Sequence, residues 1–206
     1  MHNVLASGSL GNCVIYHESI VVDMGVPYSK IEPYIKSLQI VLLSHEHGDH
    51  INLSTIKRLA FERPALRFAC GDFLVHKIEG IKNIDILEHG KMYDYGQFQI
   101  SPVVLYHNVK NYGFRIFKDG TKIFHATDTA HLDGISAKGY DLYAIEHNWN
   151  EDTAFDIIQK KRELGEFSHI EGAINSHLSE QKARDFIFKN KSEHSKVLRL
   201  HESKSN

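Results

Sequence analysis

The segment Ser44-His45-Glu46-His47-Gly48-Asp49-His50 stands directly behind Ile40–Leu43, four apolar residues without a polar break. Such a run reads as a strand buried on both faces. Any fold for this chain must therefore bring a fully buried strand to an edge where three imidazoles and a carboxylate follow at once. Two apart on a fraying strand end, His45 and His47 point to the same side. Gly48 permits a sharp turn that swings Asp49 and His50 back toward the same volume. Imidazole nitrogens and a carboxylate suit Zn²⁺, Mn²⁺ or Fe²⁺. Four donors on so short a loop can serve two neighbouring ions, two each. A histidine-rich surface turn without function is the bland alternative, and the tight spacing argues against it.

The first half of the chain reads as short strands: Val4–Ala6, Val14–Tyr16, Ile20–Val22 and Ile40–Leu43, separated by Gly/Ser/Asn turns. A helix is expected over Leu53–Glu62, with apolar residues at helical spacing, Asn52 or Ser54 as its cap and Pro64 beyond its end. The second half offers strands at Phe98–Leu105, Tyr112–Phe117, Lys122–Ala126, Leu142–Ile145 and Val197–Leu200, with helices at Phe155–Leu164 and Ser179–Lys189. Asp119-Gly120 is a hairpin turn, since that pair accepts positive φ. Strands followed by a helix, twice over, predict an α/β protein, a four-layer αββα sandwich forming one domain over residues 1–206.

Three further candidates each lie just past an apolar strand: His107, Asp128 and His201. Side chains so placed can converge at one edge of the sheets, where functional loops gather. Any one of them alone reads as an incidental polar residue; as a set with the first loop they read as ligands. Fifteen histidines in 206 residues are dispersed along the chain, a content that suits metal binding.

The formal net charge is −2 and the pI about 6.7, so no strong field draws in a polyanion. Local basic clusters at Lys57-Arg58, Lys160-Lys161-Arg162 and Lys182 to Lys191 read as solvated helix faces. Cys13 and Cys70 lack metal or redox spacing and suit a reducing compartment. With no leader-like start and no apolar run near 18 residues, a cytoplasmic protein without a membrane segment is expected. A homodimer is compatible with the sequence and nothing in it requires one.

His45-x-His47-x-Asp49-His50 resembles the signature of the metallo-β-lactamase superfamily, and His107, Asp128 and His201 follow in the order of its later ligands. The resemblance extends to the small bacterial exonuclease family called YycJ or WalJ. It is carried by Leu5-Ala6-Ser7-Gly8-Ser9-Leu10-Gly11-Asn12, Val22-Asp23-Met24-Gly25, Glu146-His147-Asn148, Ser176-His177-Leu178-Ser179 and Leu200-His201-Glu202-Ser203. It implies two divalent ions, zinc or manganese: one on His45, His47 and His107, the other on Asp49, His50 and His201, with Asp128 bridging. Asp49 would also orient the attacking hydroxide, His177 would hold a phosphate oxygen or protonate the leaving group, and Glu146 would steady a ligand histidine. For His177 the competing role is a place beside the cap of the next helix, and for Asn12 it is support of its own turn. His125, His131 and His147 are expected as packing or rim residues. The residues around Asp128 and Glu146 depart from the family pattern: Thr129-Ala130-His131 stands where a glycine and an aromatic are usual. The interval from Asp128 to His201 has no room for the inserted domain of the RNase J and CPSF nucleases.

The function expected is a metal-dependent hydrolase of phosphodiesters, a nuclease or phosphodiesterase using a two-metal-activated hydroxide. Its substrate would be nucleic acid or a small nucleotide; cyclic nucleotides fit the weak basic character better. A thioester, lactone or β-lactam hydrolase comes third, since the same chemistry attacks carbonyls. A non-enzymatic binding module would be expected to have lost a ligand, and none is missing.

Overall fold

A computed structural model describes residues 1–166 and 168–202. They form two compact units, Met1–Tyr93 and the described residues from Asp94 onward, with two six-stranded sheets between them in number. This is the α/β class expected from the sequence.

In the first sheet β1 (His2–Ala6), β2 (Cys13–Tyr16) and β3 (Ile20–Val22) run antiparallel. β4 (Ile40–Leu43), β5 (Arg67–Cys70) and β6 (Ile84–Ile86) continue parallel to β3. Every residue of β2, β3 and β4 is buried, which is why these strands read as unbroken apolar runs instead of alternating ones. Beyond the short helix α1 (Tyr28–Ile31), α2 (Leu53–Glu62) buries Thr55, Ile56 and Leu59. Ile56 and Leu59 join a core with Val41, Leu43 and Phe68, and burying each contributes roughly 1.5–3 kcal/mol. Asn52 caps α2 by accepting the Thr55 N–H at 3.1 Å. Arg63 leaves the helical region ahead of Pro64, whose ring disfavours a helical predecessor.

The second sheet has the order β12-β11-β10-β9-β8-β7, from β7 (Tyr93–Asp94), β8 (Phe98–Tyr106), β9 (Lys110–Lys118), β10 (Thr121–Ala126), β11 (Leu142–Glu146) and β12 (Lys196–Leu200). β8, β9 and β10 are antiparallel, whereas β10, β11 and β12 are parallel. Asp119 (φ 51) and Gly120 (φ 74) close the β9–β10 hairpin in the left-handed region, as the Asp-Gly pair predicts. α3 (Glu151–Glu163) begins four residues before the expected Phe155. Its first turn is polar and gives no apolar period; the Asn150 side chain starts it, accepting the Asp152 N–H at 2.9 Å. α4 (His169–Ala173) and α5 (Glu180–Asn190) complete this unit. Ser179, expected inside the last helix, is its cap. Among the described residues no helix is long and apolar enough to cross a membrane.

Parallel pairing places the C-terminal ends of neighbouring strands side by side. Val22 lies beside Leu42 in one sheet, and Glu146 beside Leu200 in the other. The residues that follow those ends are the ones that carry chemistry.

Candidate metal centre

In the first unit Asp23 follows β3, and Ser44 to His50 follow β4. Asp23 is buried and adopts φ 61, a left-handed conformation that aspartate tolerates better than most residues. Its Oδ1 accepts the Ser44 backbone N–H at 2.8 Å, and its Oδ2 accepts the Ser44 hydroxyl at 2.8 Å. The same Oδ2 lies 2.7 Å from His50 Nδ1. Ser44 Oγ in turn lies 3.0 Å from His45 Nδ1. With its hydroxyl given to Asp23, Ser44 Oγ accepts from His45. Both imidazoles thus give their Nδ1 hydrogens to this relay, which leaves the lone pair of each at Nε2.

His45 and His50 are fully buried, with ring centroids 4.1 Å apart. His45 Nε2 is 3.1 Å from His47 Nδ1, and Asp49 Oδ2 is 3.5 Å from His50 Nε2. The first loop therefore gathers all four of its expected donors within its own unit.

In the second unit Asp128 follows β10, Glu146 ends β11 and His201 follows β12. Asp128 (φ 58) and His201 (φ 48) are again left-handed, and both are buried. One oxygen each from Asp128 and Glu146 and one ring nitrogen each from His177 and His201 lie within 4.8 Å of one another. Glu146, wholly buried, accepts the backbone N–H groups of Thr129 (2.6 Å) and Leu178 (3.0 Å) on Oε1. Its Oε2 accepts His177 Nδ1–H at 3.0 Å. Burial raises the Glu146 carboxyl above its usual range; the hydrogen bond from His177 opposes this, and the nearby Asp128 charge adds to it.

His107 gives Nδ1–H to the Ser176 carbonyl at 2.8 Å, so its lone pair sits on Nε2. The His107 and His177 rings meet edge-on at 5.1 Å, and those of His177 and His201 stack at 5.0 Å. Asn148 Nδ2 lies 2.9 Å from His201 Nδ1 and 3.1 Å from its carbonyl. His201 Nε2 stands 3.6 Å from Asp128 Oδ1.

These donors fit divalent ions. With Zn–N distances of about 2.0–2.1 Å, two nitrogens on one tetrahedral ion lie about 3.3 Å apart. His45 and His47 hold theirs at 3.1 Å. A histidine that ligates through one nitrogen while a carboxylate takes the N–H of the other is the usual supporting arrangement, and Asp23 supplies it to His50. Two carboxylates buried among imidazoles, Asp128 and Glu146, likewise call for positive charge.

A family model for the β-lactamase superfamily domain matches residues 23–183. The chain belongs to this superfamily. A metal-dependent hydrolase of the UPF0173 group from Pyrococcus furiosus is 25% identical over 136 residues, covering 58% of this chain. The match spans 60% of that relative's length. Solved structures share the fold across 98% of the chain. The metallo-β-lactamase fold protein YhfI from Bacillus subtilis has a TM-score of 0.74 at 18% identity, with 85% of its own chain covered. Human tRNase Z, short form, gives 0.71 at 14% with 92% covered, and a diphosphatase of the PhnP family 0.66 at 16% with 86% covered. The chain has the metallo-β-lactamase fold.

Within this superfamily domain, the residues that sequence reasoning missed are those behind the ligands. Asp23 and Ser44 anchor two imidazoles, and Thr129 and Leu178 hold Glu146 through their backbones. A carboxylate directly after the buried strand Ile20–Val22, within the motif Val22-Asp23-Met24-Gly25, was the available signal for Asp23. His131 stacks on Tyr106 at 4.0 Å, His125 is buried in β10, and His147 is buried with Nδ1 bonded to the Ile145 carbonyl at 3.0 Å. Ser203, the last residue of the terminal histidine motif, lies outside the described residues.

Proposed function

We propose that the protein is a metal-dependent hydrolase that cleaves phosphodiester bonds, with nucleic acid as its substrate. The observation that carries this reading is the first-loop donor set, its imidazoles locked by Asp23 and Ser44 in the tautomer that ligates. In this reading His45, His47 and His107 would hold one zinc or manganese ion and Asp49, His50 and His201 a second, with Asp128 available to both. Such ions, when bound, lower the pKa of water and neutralise the charge of a phosphate.

The remaining steps fall to the chain's own groups. Asp49 accepts a hydrogen bond from the attacking hydroxide and aims it at phosphorus. The new phosphorus–oxygen bond forms as the bond to the leaving oxygen breaks. His177, whose Nδ1–H is held by Glu146, gives the proton on its other nitrogen to that leaving oxygen. A carboxylate behind an imidazole stabilises the charged ring that precedes this transfer. Phosphoesters are favoured as the substrate class because a tRNase and a diphosphatase stand among the proteins of similar fold. The resemblance to the small bacterial exonucleases favours nucleic acid among them. Cys13 and Cys70, neither in a disulfide, suit a cytoplasmic setting.

The test is digestion of linear duplex DNA by manganese-loaded protein, beside Asp49→Ala. Degradation by the wild type with a loss of about 10²-fold or more in the variant supports the assignment. Cleavage that survives the substitution removes Asp49 from the mechanism. A small-nucleotide phosphodiesterase is the second reading, favoured by the net charge of −2. Hydrolysis of cyclic mononucleotides at a salt-independent rate, with DNA left intact, selects it. Turnover of thioesters or lactones alone moves the protein to carbonyl chemistry.

A further inference from the structure

The Asn12 side chain ties the glycine-containing turn between β1 and β2 to the metal loop. It is buried. Its Oδ1 accepts the Gly8 N–H at 2.9 Å, and this fixes which way the amide faces. Nδ2 then meets three acceptors: the Gly8 carbonyl at 3.1 Å, Asp49 Oδ2 at 3.2 Å and His50 Nε2 at 2.9 Å. A reversed amide would set its oxygen against a carbonyl and a carboxylate. The backbone repeats the tie: Asn12 N–H donates to the Asp49 carbonyl at 2.7 Å, and Gly25 N–H to the Asn12 carbonyl at 2.8 Å.

An amide carries two hydrogens, so three acceptors exceed what it can serve. The lone pair of His50 Nε2 is the one an ion would take, because Nδ1–H is given to Asp23. Once that lone pair is engaged, the two hydrogens match the two remaining acceptors, Gly8 O and Asp49 Oδ2. We infer that Asn12 is a positioning residue: its amide fixes the rotation of the Asp49 carboxylate and so presets the second metal position. This rests on the metal reading above, and it gives the turn a task beyond its own closure.

Cobalt(II) titration of the full chain, followed by visible absorption, tests it on wild type, Asn12→Ala and Leu59→Ala. Leu59 is a fully buried core residue of α2, so Leu59→Ala leaves a cavity and destabilises the unit without altering the Asn12 amide or its partners. We expect Asn12→Ala to weaken one of the bound cobalt ions about 10- to 100-fold and to alter its absorption band. We expect Leu59→Ala to lower thermal stability while its cobalt affinity and band stay as in the wild type. If Asn12→Ala does not fold, Asn12→Ser replaces it; its hydroxyl is too short to serve both Gly8 and Asp49. Equal loss of affinity in both variants would reduce Asn12 to a support of the fold and overturn the inference, as would unchanged affinity in Asn12→Ala. Absence of cobalt binding by the wild type would instead overturn the metal reading and this inference with it.

Discussion

Asp23 shows how one side chain sets two others. It takes a hydrogen from His50 directly and orients His45 through Ser44. Asp23→Asn keeps the shape and removes the charge and one acceptor. We expect metal affinity to fall about 10- to 100-fold, measured by competition with a chromophoric chelator. A loss under twofold would mean that the relay is incidental. A second prediction concerns His147, whose burial lowers its pKa. The folded state then binds a proton less readily than the unfolded chain, whose histidine titrates near 6.5. Its stabilising contribution is present above about pH 6.5 and is lost as pH falls through the folded value. Urea unfolding at pH 7.5 and 5.5 should show a smaller difference in His147→Asn than in the wild type. At this scale the cluster of first-loop donors was legible because spacing within six residues carries information by itself. Asp23 and Asn12 were less so: their partners lie 21 to 38 positions away, and a lone polar residue behind a strand has no period to betray it.

At the scale of elements, the tightest point is the crossing of the segment after β3 with the metal loop. A carbon added at Gly25 would sit 1.6 Å from the Asp49 carbonyl oxygen. Backbone cannot yield there without moving Asp49. Gly25→Ala should cost about 3 kcal/mol in chemical denaturation and should also weaken metal binding. A variant as stable as wild type would show that the two segments can separate. The buried strands and α2 announced themselves by apolar runs and by helical period. β5 and β6 did not: each has only three or four residues, and Arg67 and Asp85 pair with one another across them. A short strand that mixes charge with apolar residues is defined by its neighbours in the sheet, which the sequence does not reveal. The early start of α3 was hidden for a related reason, since its first three residues are polar and the Asn150 cap begins it, with burial setting in only at Ala154.

For the whole molecule, strand order is the feature least accessible to sequence reading. Each sheet joins an antiparallel run to a parallel run, and most of the candidate donors follow strands of the parallel part, with His107 behind the antiparallel β8. The class of fold was readable from the succession of strands and helices; the pairing of β3 with β4, or of β11 with β12, was not. Because carboxylates and imidazoles are buried together in each unit, an ion that binds only the folded chain adds to its stability. Removing metal with a chelator should lower the melting temperature by about 5–10 °C, taking roughly 2.7 kcal/mol for a hundredfold excess over Kd. Zinc or manganese added back should restore it. An unchanged melting temperature would argue that the donor sets hold no ion under those conditions.

Asp23, Asp128 and His201 all sit in left-handed backbone, where a side chain costs of order 1–3 kcal/mol and glycine costs little. Of the six non-glycine residues described with positive φ, these three are the ones that the chain's proposed chemistry requires. Mutational drift in a lineage released from that chemistry would find relief at these three positions first, with glycine gaining ground there while the buried strands stayed apolar. An engineer who selected only for thermal endurance would be led down the same slope. In this molecule, durability and reactivity draw on the same few peptide bonds.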